Sequence, residues 1–247
     1  MQVKPNILSI AGSDPLSKSG IMADFKVGID LSANIFNVIT AINAQNNQKI
    51  VNICYLESKI IQDQLKVIFE QNKITMVKIG MVGDLQSIDI IINFLKDKNI
   101  KIIFDPVLKA SNGYDLIPAN AIDNLKQKLL PICHLLTPNI NELEILSKIK
   151  INNLADIKKA VKILQNYGAQ NILVKGGHFQ EKSDKVNSFL FLEDQVTKIQ
   201  NKRLDKKCRG TGCMLSTAIA IFLGADYNLI EAVKKANKYV YHKIKSE

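Results

Sequence analysis

Tryptophan is absent from the 247 residues, histidine occurs three times and cysteine four times. Cys54, Cys133, Cys208 and Cys213 form no C-x-x-C pair and no dense framework, and the scattered histidines add no zinc-ligand spacing. A disulfide scaffold and a structural zinc site are therefore excluded. No uninterrupted apolar run reaches the ~18 residues that a membrane span needs. The opening MQVKPNILSIAGSD places a lysine before a short apolar run. Glycine, serine and aspartate break that run, so a first β-strand is expected rather than a leader. These absences point to a reduced, cytoplasmic protein without a membrane partner. Repeats, low-complexity tracts and linkers are lacking too, which predicts one domain over residues 1–247.

Acidic residues are in deficit: 23 against 33 lysines and arginines, a formal charge of +10. The basic residues are spread along the whole chain with no basic-aromatic cluster, so no nucleic-acid partner is expected. Solvated lysine faces account for most of this charge, and attraction of small phosphorylated molecules is a milder use of it. Both common phosphate signatures are missing as well. There is no G-x-x-x-x-G-K-[ST], and GTGCML lacks the third glycine and the preceding strand of a dinucleotide fingerprint.

What is present is an alternation. With 47% hydrophobic residues the chain can fill a large core. Short, β-branched runs predict strands at 7–11, 37–42, 76–81, 101–105, 134–137, 171–176, 188–192 and 195–199. Helical periodicity predicts helices at 20–33, 58–71, 85–98, 119–130, 141–149, 153–167, 211–223 and 229–245. The last two strands, joined at Glu193-Asp194, read as an antiparallel hairpin. Apolar strands separated by helices imply a mostly parallel sheet covered on both faces, a three-layer α/β/α fold. Ligands on such sheets bind beyond the carboxyl ends of the strands. Six polar clusters follow strands in that way: AGSD, NAQN, KIGMVGD, DPV, TPNINE and KGGH. They predict one composite site.

The chemistry concentrates at 210–213, GTGC, ahead of the apolar MLSTAIAIF. Glycines let a backbone approach a ligand closely, and a helix start offers unpaired N–H groups with partial positive charge. Gly210, Thr211 and Gly212 thus suit either an anion hole or an ordinary turn. A cysteine at such a terminus has its thiolate favoured by the helix dipole, with Lys206, Lys207 and Arg209 close in sequence. Cys213 suits a general base toward a hydroxyl, or a small residue packing the helix start. Cys54 and Cys133 lie in apolar runs and read as core. In TPNINELE, Asn141 with Glu144 reads as a capping box, leaving Asn139 and Glu142 for magnesium or phosphate. Asp105 suits a turn or a metal, and Lys175 a turn lysine or a phosphate contact.

Taken together, IAGSD, GIMADFK, ITAINAQN, KIGMVGD, FDPVLKASNGYDLI, LLTPNINELEIL, LVKGGH and GTGCMLSTAIA resemble the hydroxymethylpyrimidine/phosphomethylpyrimidine kinases of thiamine biosynthesis. Those enzymes belong to the ribokinase-like superfamily, and the likeness runs through essentially the whole chain in order. It implies ATP and Mg²⁺ as cofactors and a flat aminopyrimidine as the small-molecule partner, phosphorylated first on its hydroxymethyl and then on the monophosphate. A homodimer is expected. Gln45 is implied to bind the ring, with Gly12, Asp24, Met81 and Val107 completing its pocket. Glu142 and Asp105 are implied for the metal, and Lys175, Asn139 and Thr211 for the nucleotide. Gly210, Thr211 and Gly212 would form the anion hole, and Cys213 would be the base where much of the superfamily carries aspartate.

The chain departs from the family after GSD, where PLSKSG replaces a serine- and glycine-rich loop, and at Met22, Cys208 and Arg209. A vitamin B6 kinase is the nearest alternative, because pyridoxal and pyridoxine are also flat rings bearing a hydroxymethyl. A ring-binding protein without turnover is the other, and the joint presence of Lys175, Glu142 and Cys213 argues against it.

Overall fold

The computed structural model describes residues 4–110, 113–177, 183–193, 195–206 and 208–246, with the side chain of Ala119 left out. Among the described residues nine strands form one sheet. In chain order they are β1 (Asn6–Ser13), β2 (Asn34–Gln45), β3 (Ile50–Tyr55), β4 (Met76–Ile79), β5 (Lys101–Phe104), β6 (Leu135–Leu136), β7 (Asn171–Val174), β8 (Lys185–Leu192) and β9 (Gln195–Lys202). Their spatial order is β3-β2-β1-β4-β5-β6-β7-β8-β9. The six strands from β2 to β7 run parallel, while β3 at one edge and β8–β9 at the other are antiparallel. The mostly parallel sheet with an edge hairpin is as the sequence predicts. Asp194, at the expected hairpin turn, lies outside the described residues.

Helices α1 (Gly20–Asp30), α7 (Thr211–Gly224) and α8 (Leu229–Ser246) cover one face. Helices α2 (Ser58–Gln71), α3 (Leu85–Leu95), α4 (Ala119–Asn124), α5 (Ile140–Ser147) and α6 (Leu154–Asn166) cover the other. The central strands are apolar on both sides because both sides are covered: Met76, Val77, Ile79, Ile102, Ile103 and Phe104 are all buried. Lys78 interrupts β4 and is fully buried too.

Local chemistry sets the element ends. The Asp84 side chain accepts the Ser87 N–H to start α3, and Asn153 accepts from Ala155 and Asp156 to start α6. At α5 the structure corrects the sequence reading. The capping box is Asn139 with Glu142, each side chain meeting the other's backbone N–H, and not Asn141 with Glu144. Glu144 instead accepts from the Ile151 N–H and pairs with Lys150. The segment expected to be one helix at 119–130 is α4 followed by a wider turn over Leu125–Leu129 and a tight one over Leu130–Ile132, where Pro131 closes it.

Strand β3 has no counterpart in the sequence reading. The polar stretch around it hides the alternation, and pairing with β2 is what makes it a strand. Cys54 lies on it and is exposed, not core as its apolar neighbours suggest, whereas Cys133 is buried.

Candidate active site

The strand order reverses between β1 and β4, so a crevice opens beyond their carboxyl ends. The first turn of α7 meets the loops leaving β1, β5 and β7 there. Gly210 has φ +77°, and a Cβ on it would come within 1.7 Å of the Lys18 carbonyl oxygen. Only glycine fits that crossing. A Cβ on Gly212 would lie 3.3 Å from Lys175 Nζ and 3.5 Å from Asp105 Oδ2. The helix start therefore faces a cation and a carboxylate across one small space.

That cluster is tightly bonded. Lys175 Nζ donates to Asp105 Oδ1 at 2.6 Å and lies 3.7 Å from Glu142 Oε2. The Thr137 hydroxyl donates to Asp105 Oδ1 at 3.2 Å, and the Ser216 hydroxyl approaches Oδ2 at 3.4 Å. Lys175 is brought in because its backbone N–H bonds to the Pro138 carbonyl, extending the parallel pairing of β6 and β7 by one step. Burial pushes Glu142 up to about 7, with Asp105 adding to the rise and Lys175 opposing it. Burial also works against the Lys175 ammonium, but Asp105 and Glu142 outweigh it and hold the lysine above its ordinary range. Asn139 keeps its place beside Lys175, and its side chain is engaged in the α5 cap.

Cys213 stands half-buried in the first turn of α7. Burial pushes its thiol up to about 11, opposed by Lys78 and by a hydrogen bond from the Gly20 N–H, and reinforced by Asp24 and Asp105. The favoured thiolate expected from the helix dipole is thus corrected: burial outweighs it. The flanking cations do not help, since Arg209 donates to the Asn46 carbonyl and Lys206 to that of Lys245. Lys207 and the His178 of KGGH lie outside the described residues.

On the ring side, Met81, Ala41 and Leu116 make a small apolar cluster, with Val107, Ile50, Ile53, Tyr55 and Ala110 packed against it. Gly12 is its floor: a Cβ there would press on Met81 Sδ at 3.1 Å and Asn43 Nδ2 at 3.4 Å. Gln45, at the end of β2, donates from its side chain to Asp14. Asp14 also accepts from the Leu16 and Lys18 N–H groups and the Ser19 hydroxyl, which fixes the 14–19 loop. These donors hold its carboxyl below the usual range although burial works the other way. Lys18 Nζ reaches Asn47 Oδ1 at 3.2 Å, so both Lys18 and Arg209 tether the β2–β3 turn.

Asp24 is the site residue the structure relocates. It is fully buried, and its carboxylate accepts from Ser9, Lys78 and Thr217. It stands behind the crevice instead of lining the ring pocket. Lys78, Asp14 and Thr217 are the residues that the sequence reading passes over. A lysine inside the apolar run MVKIGM is the signal that was there to use, because buried lysines need a partner.

An αβα sandwich whose crevice holds a glycine-bracketed helix start, a half-buried lysine, two carboxylates and a half-buried thiol defines a phosphotransferase of the ribokinase-like fold. The comparisons with known proteins narrow this. The phosphomethylpyrimidine kinase model matches residues 14–247, and the chain belongs to that family. Hydroxymethylpyrimidine/phosphomethylpyrimidine kinase of Haemophilus influenzae is 35% identical over 238 residues, 95% of this chain and 88% of that protein. The phosphomethylpyrimidine kinase structure from Clostridium difficile 630 superposes with a TM-score of 0.85 at 33% identity, covering 98% of this chain and all of the other. Pyridoxal kinase of Staphylococcus aureus, solved with pyridoxal, gives a TM-score of 0.89 at 25% identity, over 98% of this chain and 88% of the other. No described helix is long and apolar enough to cross a membrane.

Proposed function

We propose that the chain, acting as one kinase unit, transfers the γ-phosphoryl group of ATP to the hydroxymethyl oxygen of 4-amino-5-hydroxymethyl-2-methylpyrimidine and then phosphorylates the monophosphate, in thiamine diphosphate synthesis. Family membership and the relatives named for both steps support this reading. The observation that carries it is the space at Gly212, bounded within a methyl's reach by Lys175 Nζ and Asp105 Oδ2. N–H groups at a helix start, facing a lysine, are what a transferring phosphoryl group needs.

In the first transfer the hydroxymethyl oxygen bonds to the γ-phosphorus, its proton moves to Cys213 in its thiolate form, and the bond to the bridging oxygen of ADP breaks. Gly210, Thr211 and Gly212 supply donors fixed before reaction, and Lys175 and Asn139 stand at the nucleotide phosphates. Gln45 accepts from the ring amino group through Oε1, while its amide nitrogen donates to Asp14. Gly12, Met81 and Val107 give the ring its flat apolar slot. Asp105 and Glu142 fit Mg²⁺: two carboxylates converge on one space, and the remaining ligands of such an ion are ordinarily phosphate oxygens and water. When bound, Mg²⁺ neutralises phosphate charge. To hold the ion Glu142 would have to release or share the hydrogen bond it accepts from the Asn139 N–H.

Pyridoxal kinase is the second reading, favoured by the close superposition on the Staphylococcus aureus enzyme, which is known with pyridoxal and with ADP. Mass spectrometry of products from ATP with hydroxymethylpyrimidine, its monophosphate, pyridoxal and pyridoxine separates the two. A diphosphate from the pyrimidines is expected. Turnover of the B6 compounds alone would overturn the reading.

A further inference from the structure

Helices α1 and α7 are joined by two rungs one helical turn apart. The Gly20 N–H meets the Cys213 sulfur, and four residues further along both helices the Thr217 hydroxyl donates to Asp24 Oδ1 at 2.7 Å. The i,i+4 spacing puts Gly20 with Asp24, and Cys213 with Thr217, on facing stripes. Between the rungs and the sheet stands Lys78 of β4, fully buried, 2.8 Å from Asp24 Oδ2. Its ammonium lies at the carboxyl end of the strand, since a Cβ on Gly80 would come within 3.0 Å of Nζ. Ser9 completes the network by donating to the same carboxylate oxygen.

A buried lysine–aspartate pair is a poor device for stability, because apolar side chains of similar volume serve as well or better. Its position one turn from the thiol gives it another use. We propose that Lys78 is a positioning residue for phosphoryl transfer: its buried ammonium stabilises the Cys213 thiolate that receives the proton of the acceptor hydroxyl. This rests on the reading of Cys213 as the base. The charged groups facing Cys213 are Lys78 from β4, Asp24 from α1, Asp105 after β5 and Lys175 after β7. Lys78 is the one that most opposes burial of the thiolate, with Asp24 counteracting it. The step balances without further reactants: the hydroxyl proton goes to sulfur, oxygen bonds to phosphorus, and ADP leaves with the bridging electron pair.

Two variants test this, Asp24→Asn and the charge-neutral pair Lys78→Met with Asp24→Asn. The second keeps the proposal testable should the first, which leaves a buried cation unpaired, fail to fold. The readout is iodoacetamide alkylation of Cys213 followed by peptide mass spectrometry over a pH series, in the full-length protein. The midpoint of that titration does not depend on how easily the reagent enters. Asp24→Asn should move it down and the double variant up, with alkylation at a fixed lower pH changing about tenfold per unit of displacement. Turnover of the hydroxymethyl acceptor by the double variant should fall and recover as pH rises, with the KM for ATP unchanged. Coincident midpoints in parent and double variant would overturn the proposal and leave Lys78 a structural strut. Should the midpoints separate while Cys213→Ala keeps full activity, the electrostatic pairing stands and the base assignment fails.

Discussion

Gly212→Ala separates catalysis from stability more cleanly than any other change in the site. The added methyl would lie 3.3 Å from Lys175 Nζ and 3.5 Å from Asp105 Oδ2, tight on one side and ordinary contact on the other. Gly212 is in the first turn of α7 without a left-handed backbone, so alanine there costs nothing conformationally. Helix propensity even favours it by up to about 1 kcal/mol. The melting temperature should therefore hold or rise. The same methyl fills the space where a phosphoryl oxygen must approach the helix N–H groups. Losing one such fixed donor costs about 10²–10³ in turnover, or about 3–4 kcal/mol of transition-state stabilisation. Steady-state release of ADP with the hydroxymethyl acceptor, alongside a thermal melt, measures both. Two controls frame the result. Gly177→Ala meets nothing within 4 Å and should be silent, whereas Gly210→Ala drives a Cβ to 1.7 Å from the Lys18 carbonyl and should impair folding. A folded Gly212→Ala enzyme with kcat/KM within about threefold of the parent would refute the phosphate cradle.

Cys213→Ala should cost the first transfer roughly 10²–10⁴ in turnover with ATP affinity held. It should cost the second transfer far less, because the monophosphate acceptor is already anionic and has no hydroxyl proton to lose; equal losses would return Cys213 to a packing role. Gln45→Leu removes the ring's amide partner and should weaken pyrimidine binding by roughly 1–3 kcal/mol with nucleotide binding intact; an unchanged pyrimidine KM would place the ring elsewhere. Lys18→Ala removes a cation beside the 14–19 loop and its link to Asn47, and should reduce kcat/KM for the monophosphate about fivefold more than for the neutral acceptor at low salt. Losses that match on the two acceptors would make it a surface lysine. Burial pushes Glu142 up to about 7 from the ordinary 4.5, so the folded state holds its proton longer and its contribution to stability falls as pH rises between those values. Glu142→Gln should remove that slope. Denaturant melts at pH 4 and pH 8 should show the variant gaining on the parent by about 3 kcal/mol across the interval, and parallel pH profiles would disprove the raised carboxyl.

Much of the fold was legible because the sequence alternates short apolar runs with helical periods. Helix α2 is found at 58–71 as expected, and all eight predicted strands overlap observed ones closely enough to place the loops. The boundaries that failed did so for identifiable reasons. N-x-x-E occurs twice in overlap, Asn139–Glu142 and Asn141–Glu144, and spacing alone cannot choose which carboxylate turns back to the backbone. β3 carries its strand character in its pairing with β2, not in its composition.

The sequence by itself determined the layered architecture, the glycine-bracketed helix start and the family, since these depend on local patterns and ordered motifs. Only the tertiary structure decided the charges around the thiol. Lys206 and Arg209 are neighbours of Cys213 along the chain, yet their side chains turn to Lys245 and Asn46. Lys78, 135 positions earlier by the numbering, acts on it from the strand beneath instead. Asp24 was expected at the ring and is buried against Lys78. Electrostatic environments depend on distance and burial through space, and neither is encoded by proximity in sequence.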